Sequence, residues 1–414
     1  MSALAIAAKP RELPASPIAE LRDSSELELL LVCARRTLSA SGEACACELL
    51  AQPLDWSRLL ELAQAHGLLP LFWWHAERIL AHDLPPQIAQ ALRARFRDNA
   101  VRNLFLMEEL FDILGVLGDC DISAVPLKGP VLADRLYGDP ALRECVDLDI
   151  MLRARDVPEA IRSLISAGYQ PSIMLTPVQQ KAFLSTQYEY ALLSPAGTLV
   201  ELQWRIVPRY FSLAFVEEQY WGRIQPIAVC GREVNSFSAE DLLLLLAFHG
   251  GKHAWKKLIW LADLAELMAS SPRLDWGYVI DRARRAGGLR MLLLGVFLSR
   301  KLLGSAVPKD IEQLIDRDCS IAQIAGGICR AFVTRESPSY VKSQLYLLRV
   351  RERWRDRLRY VVRFTLTGTP TEWKLVDFPR PFFFLYRFLR LLRGLGKARA
   401  LVTNVAAGRA KAKV

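Results

Sequence analysis

The chain lacks any run of about 18 strongly apolar, uncharged residues, which excludes a polytopic membrane protein. It also lacks paired CxxC motifs. Its 8 cysteines, at positions 33, 45, 47, 120, 145, 230, 319 and 329, are scattered. That spacing excludes a zinc knuckle and a disulfide framework, and it fits reduced thiols in a cytoplasmic protein. Cys45 and Cys47 form the only close pair, inside a Gly/Ser/Ala stretch. No basic residue precedes the short apolar run at the N-terminus, and proline follows it. Residues 1–24 therefore read as a disordered leader and not as a targeting segment. With 23 glycines and 22 prolines, collagen-like composition is excluded.

What is present is a chain of 414 residues, 52% hydrophobic, enough for a sizeable core and for two or three domains. The formal charge of +10 is unevenly placed. Residues 349–414 carry 17 Lys and Arg against 4 Asp and Glu, so the preceding body is close to neutral. The high pI therefore describes the tail and does not imply a nucleic-acid-binding body, and nucleic acid is not an expected partner. In residues 378–399, Arg387, Arg390 and Arg393 recur every three residues among Phe and Leu. Such a helix can dock on the body or lie along an anionic membrane surface.

Apolar spacing predicts helices over residues 25–117, with Gly42, Pro53, Gly67, Pro70 and Pro85-Pro86 as punctuation. The pattern changes near residue 118. Short strands are expected at 122–127 and 146–152. A helix opens at Gly129-Pro130, another runs from 156 to 167, and a hairpin pairs 188–194 with 198–204. Helices return at Ala239, and the segment 239–268 reads as one long apolar stretch. The expected architecture is α+β. A small mixed core over 118–235 is flanked by helical regions at 25–117 and 236–348, and a basic segment follows at 349–414.

D-x-D occurs at Asp119/Asp121, Asp147/Asp149 and Asp316/Asp318. Only Asp147 and Asp149 lie in an apolar strand, where alternation puts both on one face and Leu148 and Ile150 on the other. Two such carboxylates repel each other near a core unless a cation compensates. Mg²⁺ prefers this kind of oxygen donor. Read as unpaired like charges, the two acids predict that their removal leaves stability unchanged or raised. The Lys128-Gly129 turn opening a helix adds a phosphate site.

These residues belong to a longer succession: L-K-G at 127–129, L-A-x-x-L-Y at 132–137, D-P-x-x-R at 139–143, D-L-D-I at 147–150, A-G-Y at 167–169, V-E-L-Q-W at 200–204 and H-x-x-x-H-x-W-x-x-L-x-W-L-A-D at 249–263. The succession resembles the uncharacterised bacterial nucleotidyltransferase family of the DNA-polymerase-β-like superfold. The resemblance implies a small mixed sheet, with Gly129 in the phosphate turn and Asp147, Asp149 and Glu201 as catalytic ligands of Mg²⁺ or Mn²⁺. It implies transfer of a nucleoside monophosphate from an NTP to a hydroxyl or phosphate of a small-molecule, peptide or protein acceptor. Three positions depart from the superfold pattern: Gly129-Pro130 replaces Gly-Ser, Glu201 replaces the more usual Asp, and Gln203 stands where this family often has His. A catalytically silent nucleotide-binding scaffold, or a membrane-surface adaptor acting through the tail, are the rival classes.

Phosphate contacts are expected from Lys128, Gly129, Lys252 and Lys256, with Lys257 nearby. Arg143 is expected to hold a phosphate or to pair with Asp147. His249 and His253 stand one helical turn apart, but no acid follows at zinc-protease spacing and Gly250-Gly251 intervenes, so core histidines are the expectation.

Overall fold

The computed structural model describes residues 21, 24–79, 84–174, 176–211, 213, 217–334, 339–366, 385, 386, 388 and 389. Five helices come first: α1 (Ser25–Val32), α2 (Ala40–Leu50), α3 (Trp56–His66), α4 (Leu69–Ile79) and the 33-residue α5 (Pro86–Gly118). Two of the expected breaks are not breaks. Gly42 sits in the first turn of α2, where its N–H donates to the capping Ser39 hydroxyl at 3.2 Å. Pro70 sits in the first turn of α4, where a missing N–H forfeits no helical bond.

The mixed region then follows as β1 (Ala124–Pro126), α6 (Gly129–Tyr137), β2 (Asp147–Leu152), α7 (Val157–Ser166), β3 (Gln170–Pro171), α8 (Pro177–Thr186), β4 (Glu189–Leu193), β5 (Leu199–Gln203), α9 (Glu217–Trp221) and a hairpin of β6 (Gln225–Val229) and β7 (Arg232–Ser236). The larger sheet runs in the order β1-β2-β5-β4-β3. β2 and β5 are parallel, and the other pairings are antiparallel. The fold is thus α+β, a small mixed sheet flanked by helices.

The C-terminal helices are α10 (Ala239–Lys252), α11 (Leu258–Ser270), α12 (Trp276–Ala286), α13 (Leu289–Leu303), α14 (Lys309–Asp316), α15 (Cys319–Thr334), α16 (Tyr340–Arg349) and α17 (Trp354–Leu366). The long apolar stretch beginning at Ala239 is therefore two helices. Between them Ala254 and Trp255 take φ of 55° and 51°, a left-handed turn that reverses the chain.

Two apolar cores organise these elements. Helices α1–α4 and α10–α15 share the first, so regions far apart in the chain pack as one body. The Arg35–Glu266 ion pair, at 2.6 Å, ties them further. The second core lies under the sheet. Leu148, Ile150, Val200 and Leu202 face the last turns of α5 and the apolar side of α7 there. That leaves the opposite face of β2 and β5 turned toward α10.

Most of residues 378–399, including Arg387, Arg390 and Arg393, lies outside the described residues. Of those described, Tyr386 is buried in the second core, Leu389 packs against it and Phe388 is exposed. Among the described residues, no helix is long and apolar enough to cross a membrane.

Candidate active site

Strand pairing alone assembles the acidic face. Parallel register sets Asp149 opposite Glu201 and Met151 opposite Gln203. Antiparallel register sets Glu189 opposite Gln203. Because opposed residues share a face and alternate residues do too, Asp147, Asp149, Glu201, Gln203 and Glu189 all project from one side. The intervening Leu148, Ile150, Val200 and Leu202 anchor the strands in the core below.

Lys128 ends the loop between β1 and α6, and its ammonium donates to Asp149 Oδ2 at 2.9 Å. The Gln203 amide donates to Asp149 Oδ1 and lies 3.4 Å from Glu201 Oε2. Burial would raise the Asp149 carboxyl, but Lys128 brings it below the usual range through its charge and its hydrogen bond. Asp149 is therefore not an unpaired charge. Its removal would strand a half-buried ammonium, which reverses the expectation of unchanged or raised stability.

The other acids move the opposite way. Burial, then Glu189 and Asp149, push Glu201 up to about 8. Burial and the neighbouring Asp149 raise Asp147, against the opposing charges of Lys128, Arg143 and Lys257. Burial raises Glu189 as well.

Gly129 has φ of 67°, a conformation in which a side chain is strained. It turns the chain from Lys128 into α6 directly beside the β2 backbone. A Cβ there would lie 3.5 Å from the Asp147 carbonyl, so it is the φ angle, not crowding, that requires glycine.

α10 covers the acidic face. Leu245, Leu246, His249 and Lys252 line a small pocket with Leu127, Lys128, Gln203 and Ile206. The Lys252 ammonium lies 4.8 Å from the Tyr188 ring centroid and 3.5 Å from its hydroxyl. Burial and Lys128 lower the pKa of Lys252, while Glu189, Asp149 and Glu201 oppose that shift. His249 and His253 lie 4.8 Å apart between ring centroids, tilted by 56°, and both approach Trp260. Burial and nearby lysines hold both rings neutral, His253 with a pKa of about 3.

Arg143 and Lys256 are the remaining expected phosphate contacts. Arg143 is buried and spans both Asp263 oxygens, with Nε–Oδ1 and Nη2–Oδ2 each at 3.0 Å. Tyr137 donates a further bond to Asp263 at 2.9 Å. Arg143 thus pairs with Asp263, not with Asp147, because α11 delivers a fully desolvated carboxylate to it. Lys256 is exposed, and it is Lys257 whose charge reaches Asp147. Glu189 escaped the sequence reading, although the expected hairpin register already placed it opposite Gln203.

The donor set suits a hard, oxygen-seeking cation. Burial and the neighbouring Glu189 and Asp149 favour the protonated form of Glu201. Among the described residues, no three His, Cys, Asp or Glu side chains already converge as metal ligands. Binding a cation would therefore require the acids to rotate and Lys128 to release Asp149.

A D-x-D strand, a third carboxylate on the adjoining parallel strand and a glycine turn into a helix thus meet on one small mixed sheet. The model of a family described as uncharacterised nucleotidyltransferase matches residues 52–304, and the chain belongs to that family. A crystal structure of an antigenic nucleotidyltransferase-like protein from Paracoccidioides brasiliensis is similar at 15% identity. The match covers 53% of this chain and 96% of that one, with a TM-score of 0.28. No curated protein matches the chain.

Proposed function

We propose that the protein transfers a nucleoside monophosphate from an NTP to a hydroxyl or phosphate oxygen of an acceptor, with Mg²⁺ held by Asp147, Asp149 and Glu201. The observation that carries this reading is the parallel register of Asp149 with Glu201 beside the Gly129 turn. When bound, the cation supplies charge stabilisation at the α-phosphate. The acceptor oxygen forms a bond to the α-phosphorus, the bond from that phosphorus to the bridging oxygen breaks, and pyrophosphate leaves. Glu201 helps to hold the cation or, in its ionised form, takes the proton of an attacking hydroxyl. Lys128, displaced from Asp149, and Lys252 hold the β- and γ-phosphates. Pro130 offers no amide to them, so Gly129 and Val131 provide the helix-end N–H groups.

A second reading, a nucleotide-binding protein without transfer, is favoured by the Lys128–Asp149 ion pair, which fills one acid with an internal cation. A thermal-shift series with each of four NTPs, with and without Mg²⁺, addresses both. The expected result is stabilisation by one NTP that needs Mg²⁺ and is lost in Asp147→Asn and in Asp149→Asn. Glu201→Gln should retain NTP binding within several-fold while stopping transfer of labelled nucleoside monophosphate in cell extract. Tight NTP binding by wild type with no transfer to any acceptor gives the second reading. NTP affinity that ignores both EDTA and the Asp substitutions overturns the Mg²⁺-dependent reading.

A further inference from the structure

Both carboxylate oxygens of Asp149 are engaged by donors of the protein itself. Lys128 Nζ donates to Oδ2 at 2.9 Å, and the Gln203 amide donates to Oδ1. The same amide lies 3.4 Å from Glu201 Oε2, so one donor joins the second acid to the third. These groups are shielded from water. Side-chain exposure is 5% for Asp149 and 18% for Lys128, and Gln203 is buried. A second cation brought to Asp149 therefore meets the ammonium charge with little screening.

The backbone sets this pair up. The Leu127 N–H donates to the Asp149 carbonyl at 2.9 Å, which fixes the residue before Lys128 against β2. Gly129, at φ of 67°, then turns the chain into α6. Between those two fixed points the side chain of Lys128 is what remains free to move. A lysine carries a compact charge on a flexible four-carbon stem, so the ammonium can leave Asp149 while the strand pairing stays as it is. It also has somewhere to go. Lys128 and Lys252 line the same small pocket under α10, together with Gln203 and His249. Two ammonium groups drawn together there need an anion between them.

We propose that Lys128 is a lock on the acidic face: its ammonium takes the place of the cation in the free protein, and a divalent ion is admitted only when a polyanion draws that ammonium off Asp149 toward Lys252. That the polyanion is the triphosphate of an NTP rests on the nucleotidyl-transfer reading. The Lys128–Asp149 pair then does not mark a silent protein. It couples the two ligands, so that metal and nucleotide enter as a unit and free Mg²⁺ does not settle on the acids.

The test uses Mn²⁺ alone as the probe, because the EPR signal of the free ion reports binding directly. The full chain is titrated without nucleotide. Wild type should show no saturable binding, whereas Lys128→Met should bind Mn²⁺ at least about tenfold more tightly. Lys128→Arg restores the charge and should exclude the ion again. Adding Asp149→Asn to Lys128→Met should remove the binding that Lys128→Met gained. Lys128→Met leaves Asp149 uncompensated and should melt lower than wild type, with part of that loss restored by Mn²⁺, while Mn²⁺ leaves the wild-type melt unmoved. Lys128→Gln, neutral but still able to donate to Asp149, is the milder substitution, and the wild-type titration needs no variant. Saturable Mn²⁺ binding by wild type equal to that of Lys128→Met overturns the proposal, as does the failure of a folded neutral variant to bind the ion. Parallel melts with Mn²⁺ and each of ATP, GTP, CTP and UTP keep the two readings apart. Mn²⁺ excluded by wild type and bound by Lys128→Met, with no response to any NTP, keeps the lock and removes the transfer reaction. An NTP response joined to Mn²⁺ binding by nucleotide-free wild type removes the lock alone.

Discussion

Lys128 lets Asp149 keep its charge inside the protein, while Glu201, across the strand pair, has no such partner and holds a proton instead. That asymmetry carries a pH signature. An unfolded glutamate ionises near 4.5, whereas folded Glu201 holds its proton to about 8. Between those values the folded state binds more protons than the unfolded state, so the contribution of Glu201 to stability falls as pH rises through this window. Glu201→Gln stays neutral throughout and its amide can still donate to Asp149. In EDTA the variant should match wild type near pH 5 and exceed it by about 1–2 kcal/mol at pH 8, a figure discounted for the partial solvent exposure of the carboxyl. Melting curves at pH 5, 6, 7 and 8 check this, and a constant difference across the series would contradict the assignment. The acid pair and its partner acid were legible in the sequence because strand alternation and the V-E-L-Q-W string mark them. The Lys128–Asp149 and Arg143–Asp263 pairs were not, because each joins residues whose approach depends on tertiary packing rather than on spacing.

The turn between α10 and α11 shows how an element boundary can be hidden. Nothing in Ala254-Trp255 signals a helix end, since neither residue favours positive φ. The cause is the seat of the Trp255 ring. A Cβ on Gly250 would lie 2.3 Å from that ring and one on Gly295 would lie 2.4 Å from it, so both glycines are spaces that the indole fills. The Gly250-Gly251 pair between the two histidines permits close packing: Gly251 likewise accommodates Met291, at 2.5 Å from a hypothetical Cβ. Gly250→Ala should therefore destabilise by about 3 kcal/mol or more despite the better helix propensity of alanine, because the ring must leave its seat. Gly327, exposed in α15 with nothing near a hypothetical Cβ, provides the contrast. There Ala should stabilise by about 0.5–1 kcal/mol. Denaturant midpoints for the two variants test the pair, and equal effects would show that propensity rather than the indole seat governs position 250. The sheet was easier to read. β1, β2, β4 and β5 appear within two residues of where alternation and turn residues put them, since one face of β2 and β5 is apolar and a one-residue slip would bury the acids, whereas the two-residue β3 is too short to show alternation.

At the scale of the whole molecule, the helical regions on either side of the sheet share one core, so chain order is a poor guide to which parts are independent. The basic C-terminal segment poses the same question. Composition left it between a helix docked on the body and one lying on an anionic membrane. Burial of Tyr386 in the core beneath the sheet, with Leu389 against it, favours docking. Phe388 nearby is exposed. On this basis Tyr386→Ala should cost about 3 kcal/mol, the usual loss when a large buried aromatic is truncated. Ending the chain at Val376 should lower the melting temperature and promote aggregation, because the core under β2 and β5 loses its cover. Membrane attachment gives a different pattern, since each basic residue near an anionic surface adds about 1 kcal/mol that salt removes. Co-sedimentation of the intact protein with phosphatidylserine vesicles at low and high salt separates the two. Docking predicts no sedimentation at either salt together with the loss of stability on truncation. Salt-sensitive vesicle binding by the intact chain, with an unchanged melting temperature after truncation, would assign the arginines of the tail to a bilayer and remove Tyr386 from the list of residues that hold the sheet in place.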